Sequence, residues 1–207
     1  MSIWKWDGEL RGQIWDVGNE EYHADRTADS SSTLKVARKS IELYQADYLK
    51  GEIEPFSASP EMNFGSAFHC ALLEGGEFEN RYVYEPDDID GEPINKRLKA
   101  HREFLEGWKT SNAGKETLPK SDGERIAGMM KSVRSHASAS KLFSTGMPEV
   151  AVKFRMGHEA VSNYPLKAMF DWVCPERGII ADVKTTRHFG DIGVFRREIA
   201  SREYHCQ

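Results

Sequence analysis

The sequence has no apolar run near the roughly 20 residues that a membrane-spanning helix requires. Its first residues, MSIWKWDGEL, lack the pattern of a signal peptide. We therefore expect a cytoplasmic protein that does not contact membranes. Cysteine is also scarce: there are three, and none has CxxC spacing. This argues against a zinc site and against a disulfide framework.

The chain also lacks the excess of positive charge that is typical of many nucleic-acid-binding proteins, since its net charge is -5. Binding depends on local basic patches rather than on the total charge, so the class is not excluded. With 207 residues, 39% hydrophobic and 29% charged, the composition is that of an ordinary globular protein. The length predicts one domain, with or without an additional helical arm.

One stretch, LKAMFDWVCPERGIIADVKTT over residues 166–186, predicts two short apolar strands joined by a tight turn. Pro175 suits the start of that turn, and Gly178 suits the left-handed position that ends a four-residue loop. Such a loop pairs Cys174 with Ile179. Counting outward from that pair places Asp171 directly opposite Asp182, with Cβ atoms roughly 5 Å apart.

Two carboxylates at this spacing repel each other unless a cation lies between them. Hard oxygen ligands suit Mg²⁺ or Mn²⁺. Lys184 shares a strand face with Asp182, so it can stabilise a developing oxyanion or orient an attacking water. The alternative is a surface hairpin whose charges face water. The run of Ile179, Ile180, Ala181 and Val183 favours a buried strand instead.

The pattern D-x10-D-V-K-T-T, which begins at Asp171, resembles the core of the PD-(D/E)xK nucleases. A second pattern, G-x-A-x-H-x-x-L-L-E around His69, resembles the first motif of the RecE (exonuclease VIII) family and, more distantly, of RecB-type nucleases. In that group a helix histidine reaches the metal site, so the resemblance implies that His69 is a metal ligand or its neighbour. The alternative is a satisfied core histidine.

Two further positions extend the resemblance. Glu149 opens the strand Val150–Met156, where RecE-like and phage lambda-exonuclease-like nucleases carry an additional acidic residue near the metals; a charged strand end is the alternative. Residues 204–207, YHCQ, resemble the start of the family's Y-x-x-Q-A-x-x-Y helix, whose glutamine lies at the active site. Because the sequence stops at Gln207, we expect a homologue truncated at its C-terminal end.

The resemblance implies an α/β (α+β) fold with a restriction-endonuclease-like core, in which a central mixed β-sheet is flanked by helices and the N-terminal part is helical. Residues 1–29 would form an arm or a partly ordered terminus, and residues 30–207 the nuclease-like domain. Sequence patterns predict helices near 34–51, 61–74, 96–110 and 189–202. They also predict a helix from a capping box at Ser121–Glu124 to near Gly146, and a short strand at 159–163.

The function implied is that of a metal-dependent exonuclease that digests linear double-stranded DNA, 5′ to 3′, in phage or prophage recombination or repair. The family analogy adds a toroidal homo-oligomer and a single-strand annealing protein as partner. Two alternatives remain: a catalytically inactive truncated homologue that binds DNA or assists assembly, and a PD-(D/E)xK endonuclease.

The implied roles follow the motifs. Asp171, Asp182 and the carbonyl of Val183 would hold one Mg²⁺ or Mn²⁺, with Glu149 and His69 completing a second site. Lys184 would position or activate water, and Gln207 would orient Lys184 or the nucleophile. The locally basic C-terminal part suits a DNA backbone, and the candidate contacts there are Thr185, Thr186, Arg187, Arg196 and Arg197.

Overall fold

The computed structural model describes residues 4–6, 10–51, 58–156, 164–186 and 191–202, with side chains from residue 14 onward except at position 156. The chain divides into two compact units. The first joins Met1–Ser57 with Gly146–Gln207, and the second is Ala58–Thr145.

Strands and helices are mixed along the chain, which gives an α+β fold. The described strands are β1 Trp4–Trp6, β2 Leu10–Ile14, β3 Tyr82–Tyr84, β4 Asp88–Ile89, β5 Glu92–Pro93, β6 Glu116–Leu118, β7 Met147–Met156, β8 Tyr164–Cys174 and β9 Ile179–Ala181. The described helices are α1 Asn19–Ala24, α2 Ser31–Lys39, α3 Ile41–Tyr44, α4 Pro60–Leu73, α5 Phe78–Arg81, α6 Lys99–Ser111, α7 Lys120–Ser135, α8 Ala137–Leu142 and α9 Ile192–Ser201. A π-helical turn, Gln45–Leu49, and a 3₁₀ turn, Pro175–Arg177, complete the set.

The first unit is built on a five-stranded sheet of order β1-β2-β7-β8-β9. Each of its strand pairs is antiparallel. This sheet was predicted to mix parallel and antiparallel strands. Among the described residues, its parallel pairing is limited to an isolated bridge between Asp29 and Leu166. The strand predicted at 159–163 lies outside the described residues.

Alternation along β7 and β8 places apolar side chains together on the sheet. Val150, Val152 and Val173 are buried. Four half-buried side chains pack against them: Ile14, Phe154, Ala168 and Phe170. Burying such side chains is the main stabilising term for a sheet of this size. Strand β2 contributes Ile14 because it pairs with β7 over five residue pairs.

A polar cluster is buried beside this sheet. Asp29 and Lys167 are each only 4% exposed. The Asp29 carboxylate accepts hydrogen bonds from the hydroxyls of Tyr44, at 2.8 and 3.1 Å, and of Tyr164. The Lys167 ammonium donates to the carbonyls of Tyr22, at 2.5 Å, and Asp25, at 2.6 Å. These bonds hold the segment before α2 against β8. Breaking them would leave buried polar groups without a partner, which is costly.

This cluster predicts a loss of stability at alkaline pH. Burial, with smaller contributions from the Tyr48 phenolate that forms at alkaline pH and from the Asp25 carboxylate, raises the pKa of Tyr22 to about 12. Burial and the Asp29 hydrogen bond likewise raise the pKa of Tyr44. Because the folded state holds these protons more tightly than the unfolded chain, their contribution is complete below pH about 10 and is lost as the pH rises towards 12.

The measurement is the free energy of unfolding in urea from pH about 8 to about 11.5, with phenolate absorbance recorded in parallel. The stability of Tyr22→Phe should fall less steeply above pH about 10 than that of the wild type. Equal slopes for the two proteins would contradict the assignment of this pH dependence to Tyr22.

The single helix predicted from residue 34 to near Gly51 is wrong, because the chain breaks at Ser40. Ser30 caps α2 as predicted: its side chain accepts from the backbone N–H of Thr33 in a reciprocal capping box. The helix then ends at Lys39, because Ser40 is extended (φ -157°, ψ 120°) and its side chain caps the following helix. Serine favours such caps over helix interiors.

The second unit contains α4–α8 and the short strands β3–β6. The predicted helices near 61–74 and 96–110 are present as α4 and α6. The capping box predicted at Ser121 is wrong: α7 begins at Lys120, Pro119 occupies the N-cap position, and no side chain caps it. Asp122 instead pairs with Arg125 at 2.7 Å inside the first turn. The predicted single helix to Gly146 is divided at His136, which is extended and caps α8 from the position before Ala137.

A separate finding concerns helix length and polarity. In the part of the chain that the structure describes, none of the helices is both long and apolar enough to cross a membrane.

Candidate metal centre

Two carboxylates face each other across the central strand pair. The β7–β8 ladder pairs Pro148 with Trp172 and Val150 with Phe170, which places Glu149 opposite Asp171. A carboxylate oxygen of Glu149 lies within 4.8 Å of one of Asp171. Both side chains are half-buried, so water screens their repulsion less than it would at the surface. The pair is therefore suited to binding a cation.

The backbone is unusual at Glu149. Its φ is +47°, a left-handed conformation that residues other than glycine rarely adopt. The β7–β8 ladder skips the Glu149–Asp171 pair while its neighbours on both sides are paired. A left-handed residue of this kind costs of order 1–3 kcal/mol, and such residues cluster at active sites and ligand clamps. The conformation is thus a second, independent indication that this position is functional.

The hairpin has the predicted register. Cys174 pairs with Ile179, as the turn chemistry predicted, and Trp172 pairs with Ala181. Gly178 is left-handed, with φ +61°, which confirms its predicted place in the turn. The strand β9 ends at Ala181, and Asp182 follows immediately, one step along the register from the residue opposite Trp172. The predicted neighbourhood of Asp171 and Asp182 thus agrees with the observed ladder.

The segment after β9 is held against Asp171 by the backbone. The N–H of Val183 donates to Asp171 Oδ2 at 2.6 Å. This bond fixes the orientation of the Asp171 carboxylate. Val183 was predicted to supply its carbonyl to a metal, and that role stays a prediction.

Lys184 lies beside the acidic residue two positions before it. Its Nζ is 2.6 Å from Asp182 Oδ1, and the side chains are 24% and 48% exposed, respectively. A cation held against a carboxylate at the end of a strand is suited both to neutralising charge and to contacting a phosphate. The structure therefore brings Glu149, Asp171, Asp182 and Lys184 onto three neighbouring strands or their ends.

The arrangement has the ligand chemistry of a hard divalent cation. Carboxylate oxygens on adjacent strands are the donors that Mg²⁺ and Mn²⁺ prefer. A bound cation would also remove the repulsion between Glu149 and Asp171. These residues therefore fit a magnesium or manganese ion.

Helix α9 is tied to the same segment by a side-chain hydrogen bond that the sequence did not predict. The Thr186 hydroxyl donates to Glu198 Oε2 at 2.9 Å. Thr185 is exposed beside it, and Arg196 and Arg197 are exposed on α9. The sequence shows Glu198 as a single acidic residue among basic ones on this helix. Its pairing with Thr186, twelve residues away, depends on the tertiary fold.

The roles of three further predicted site residues stay predictions. His69 is half-buried on α4, in the second unit, and its assignment as a metal ligand stays a prediction. Arg187 and Gln207 lie outside the described residues, so their roles also stay predictions.

Comparison with known proteins identifies the family. A family model described as a PDDEXK-like domain of unknown function (DUF3799) matches residues 30–207. The chain belongs to this family. For a PDDEXK-like domain, membership suggests a nuclease-type function, and nucleases of this kind typically use a divalent metal. No curated protein and no solved structure matches the chain.

Proposed function

We propose that this PDDEXK-like domain is a Mg²⁺- or Mn²⁺-dependent deoxyribonuclease of RecE type. The observation that carries the proposal is the Glu149–Asp171 carboxylate pair, whose oxygens lie within 4.8 Å. Asp182 and Lys184 stand at the end of the neighbouring strand, 2.6 Å apart. Acids and a lysine in this order on adjacent strands are what the PD-(D/E)xK resemblance implies.

Asp171 and Asp182 would hold the ion, with Glu149 and the predicted ligand His69 completing a second site. When bound, the ion would polarise the scissile phosphodiester and stabilise the leaving 3′ oxygen. The Val183 N–H keeps Asp171 oriented for this task. Lys184, whose Nζ is 2.6 Å from Asp182, would position the attacking water and balance negative charge on the phosphate.

The reaction is hydrolysis. The water oxygen bonds to phosphorus, and the P–O3′ bond breaks with its electron pair on the 3′ oxygen. The proton that the water loses restores the 3′ hydroxyl, and the other product carries a 5′ phosphate. No redox partner is required.

The finer parts of the proposal rest on the RecE resemblance. They are digestion of linear duplex DNA from its ends, 5′-to-3′ polarity, assembly into a toroidal homo-oligomer, cooperation with a single-strand annealing protein, and a place in phage recombination or repair. The same resemblance carries the role of Gln207 in orienting Lys184 or the nucleophile.

The test is digestion of a linear duplex, 5′-phosphorylated at one labelled end, with and without Mg²⁺. A covalently closed circle serves as the end-free substrate. We expect loss of the linear duplex that requires both the metal and Asp182, since Asp182→Ala removes a ligand. The closed circle should stay intact.

Two results would overturn parts of the proposal. Cleavage of the circle at the same rate would replace an end-dependent exonuclease with an endonuclease. Absence of cleavage by folded wild-type protein that still binds Mn²⁺ would remove the catalytic function and favour a binding or assembly role.

A further inference from the structure

Helices α2 and α9, which are far apart in sequence, meet at one end. The Lys35 Nζ donates to the carbonyl oxygen of Arg202 at 3.3 Å, across 167 positions of the chain. Arg202 is the C-cap residue of α9. The lysine of α2 therefore lies at the C-terminal end of α9, where the helix dipole favours a positive charge.

This contact fixes the direction in which the basic face of α2 points. Lys35, Arg38 and Lys39 are spaced three and four residues apart, so they share one face of the helix. Since Lys35 contacts Arg202, the same face directs Arg38 and Lys39 towards the end of α9. Arg38, Lys39 and Arg202 are exposed. We call these four residues, Lys35, Arg38, Lys39 and Arg202, the α2–α9 basic surface.

The local charge opposes that of the whole chain, whose net charge is -5. The nine residues of α2 contain three basic residues and no acidic one. Two acidic side chains on α9 and α3 accept hydrogen bonds from hydroxyls: Glu198 from Thr186, and Glu42 from Ser40 at 2.9 Å. The positive charge of this surface is therefore local and does not follow from the composition of the whole chain.

We propose that the α2–α9 basic surface binds the phosphate backbone of duplex DNA and carries the substrate beyond the cleavage site. This inference rests on the proposed nuclease function. The Thr186–Glu198 hydrogen bond ties α9 to the segment that holds Asp182 and Lys184, so a duplex bound at α9 would lie beside that segment. Arginine and lysine side chains on helices are the usual donors to phosphate oxygens.

The experiment compares two double variants that each remove two positive charges. Lys39→Gln/Arg202→Gln takes one charge from each helix and leaves the Lys35 contact, which uses the backbone of Arg202. Lys99→Gln/Lys109→Gln on α6 is the matched control, at side chains that are 82% and 58% exposed. Binding of a labelled duplex is measured by fluorescence anisotropy in EDTA, so that no cleavage occurs, from about 50 to about 200 mM salt.

Each phosphate contact contributes about 0.9 to the slope of log affinity against log salt concentration. The Lys39/Arg202 double variant should therefore lower that slope by about 1.8, and the α6 control should leave it unchanged. The charge-conserving variant Lys39→Arg/Arg202→Lys should restore the wild-type slope. Thermal melting verifies that all variants fold.

An unchanged slope in the Lys39/Arg202 variant would overturn the proposed surface, and so would an equal decrease in the control. Wild-type protein that shows no DNA binding would overturn it as well. The two proposals fail separately. If the wild type cleaves DNA but the Lys39/Arg202 variant keeps the wild-type slope, only the proposed surface is wrong. If the variant lowers the slope but the wild type does not cleave with Mg²⁺, only the nuclease function is wrong.

Discussion

Asp171→Asn should abolish metal-dependent DNA cleavage and, at the same time, leave the metal-free protein at least as stable as the wild type. The loss of activity is expected to be about a thousandfold or more, because one missing charged ligand removes about 4 kcal/mol of transition-state stabilisation. Stability should not fall, because the half-buried Asp171 and Glu149 carboxylates repel each other when no cation is bound. The amide oxygen of asparagine can still accept the Val183 N–H.

Thermal melting in EDTA and with increasing Mn²⁺ tests both halves of this prediction. The wild type should melt at a higher temperature as Mn²⁺ is added, because a ligand that binds only the folded state stabilises it. Asp171→Asn should gain little. Glu176→Gln is the matched control: it removes one negative charge from the exposed turn of the same hairpin and should behave as the wild type in activity and in Mn²⁺ response.

An Mn²⁺-dependent rise in melting temperature that is the same in Asp171→Asn and the wild type would contradict the metal site. A large loss of stability in EDTA would contradict the argument from repulsion, even if activity were also lost.

The parts of the fold that the sequence predicted are those that local chemistry determines. The hairpin register follows from Pro175 and Gly178, because a turn of defined length leaves one pairing for Cys174. The helix α4 follows from its apolar content, and the structure adds a cap at Ser59 with Pro60 in the first turn. These features involve residues a few positions apart, so their energetics are visible in the sequence.

The remaining features depend on contacts between distant segments. The break at Ser40 and the start of α7 at Lys120 are choices between competing caps, which differ by about 1 kcal/mol. The buried pairing of Asp29 with Tyr44 and Tyr164 joins residues up to 135 positions apart. The charge of Lys167 within the apolar stretch LKAMF was the available signal, but no spacing rule connects it to Asp29.

The candidate site shows the same division. Asp171, Asp182 and Lys184 were found because they lie on one hairpin. Glu149 was suggested by resemblance, whereas its left-handed backbone and its place opposite Asp171 come from the β7–β8 pairing. The link from Thr186 to Glu198, and from Lys35 to Arg202, required the tertiary structure.

Gly146→Ala should be among the most destabilising single substitutions in the first unit. Gly146 has φ +146°, and a Cβ placed there would lie 2.6 Å from the indole Nε1 of Trp172 and 2.8 Å from the carbonyl oxygen of Val173. Trp172 is buried, so neither the ring nor the backbone can move aside easily. Backbone strain and overpacking together should cost about 3 kcal/mol, which corresponds to a decrease of roughly 6–12 °C in melting temperature.

Substitutions at two other glycines distinguish the effect of backbone strain from that of overpacking. Gly178→Ala has a left-handed φ of +61° but no atom within 4 Å, so it should lose only the backbone term of about 1–2 kcal/mol. Gly107→Ala, inside α6 with open space around it, should gain about 0.5–1 kcal/mol. Gly146 immediately precedes β7, three residues before Glu149, so its substitution should also misalign the Glu149–Asp171 pair and weaken Mn²⁺ binding. Equal melting temperatures for Gly146→Ala and Gly178→Ala would show that contact with Trp172 does not constrain the start of β7.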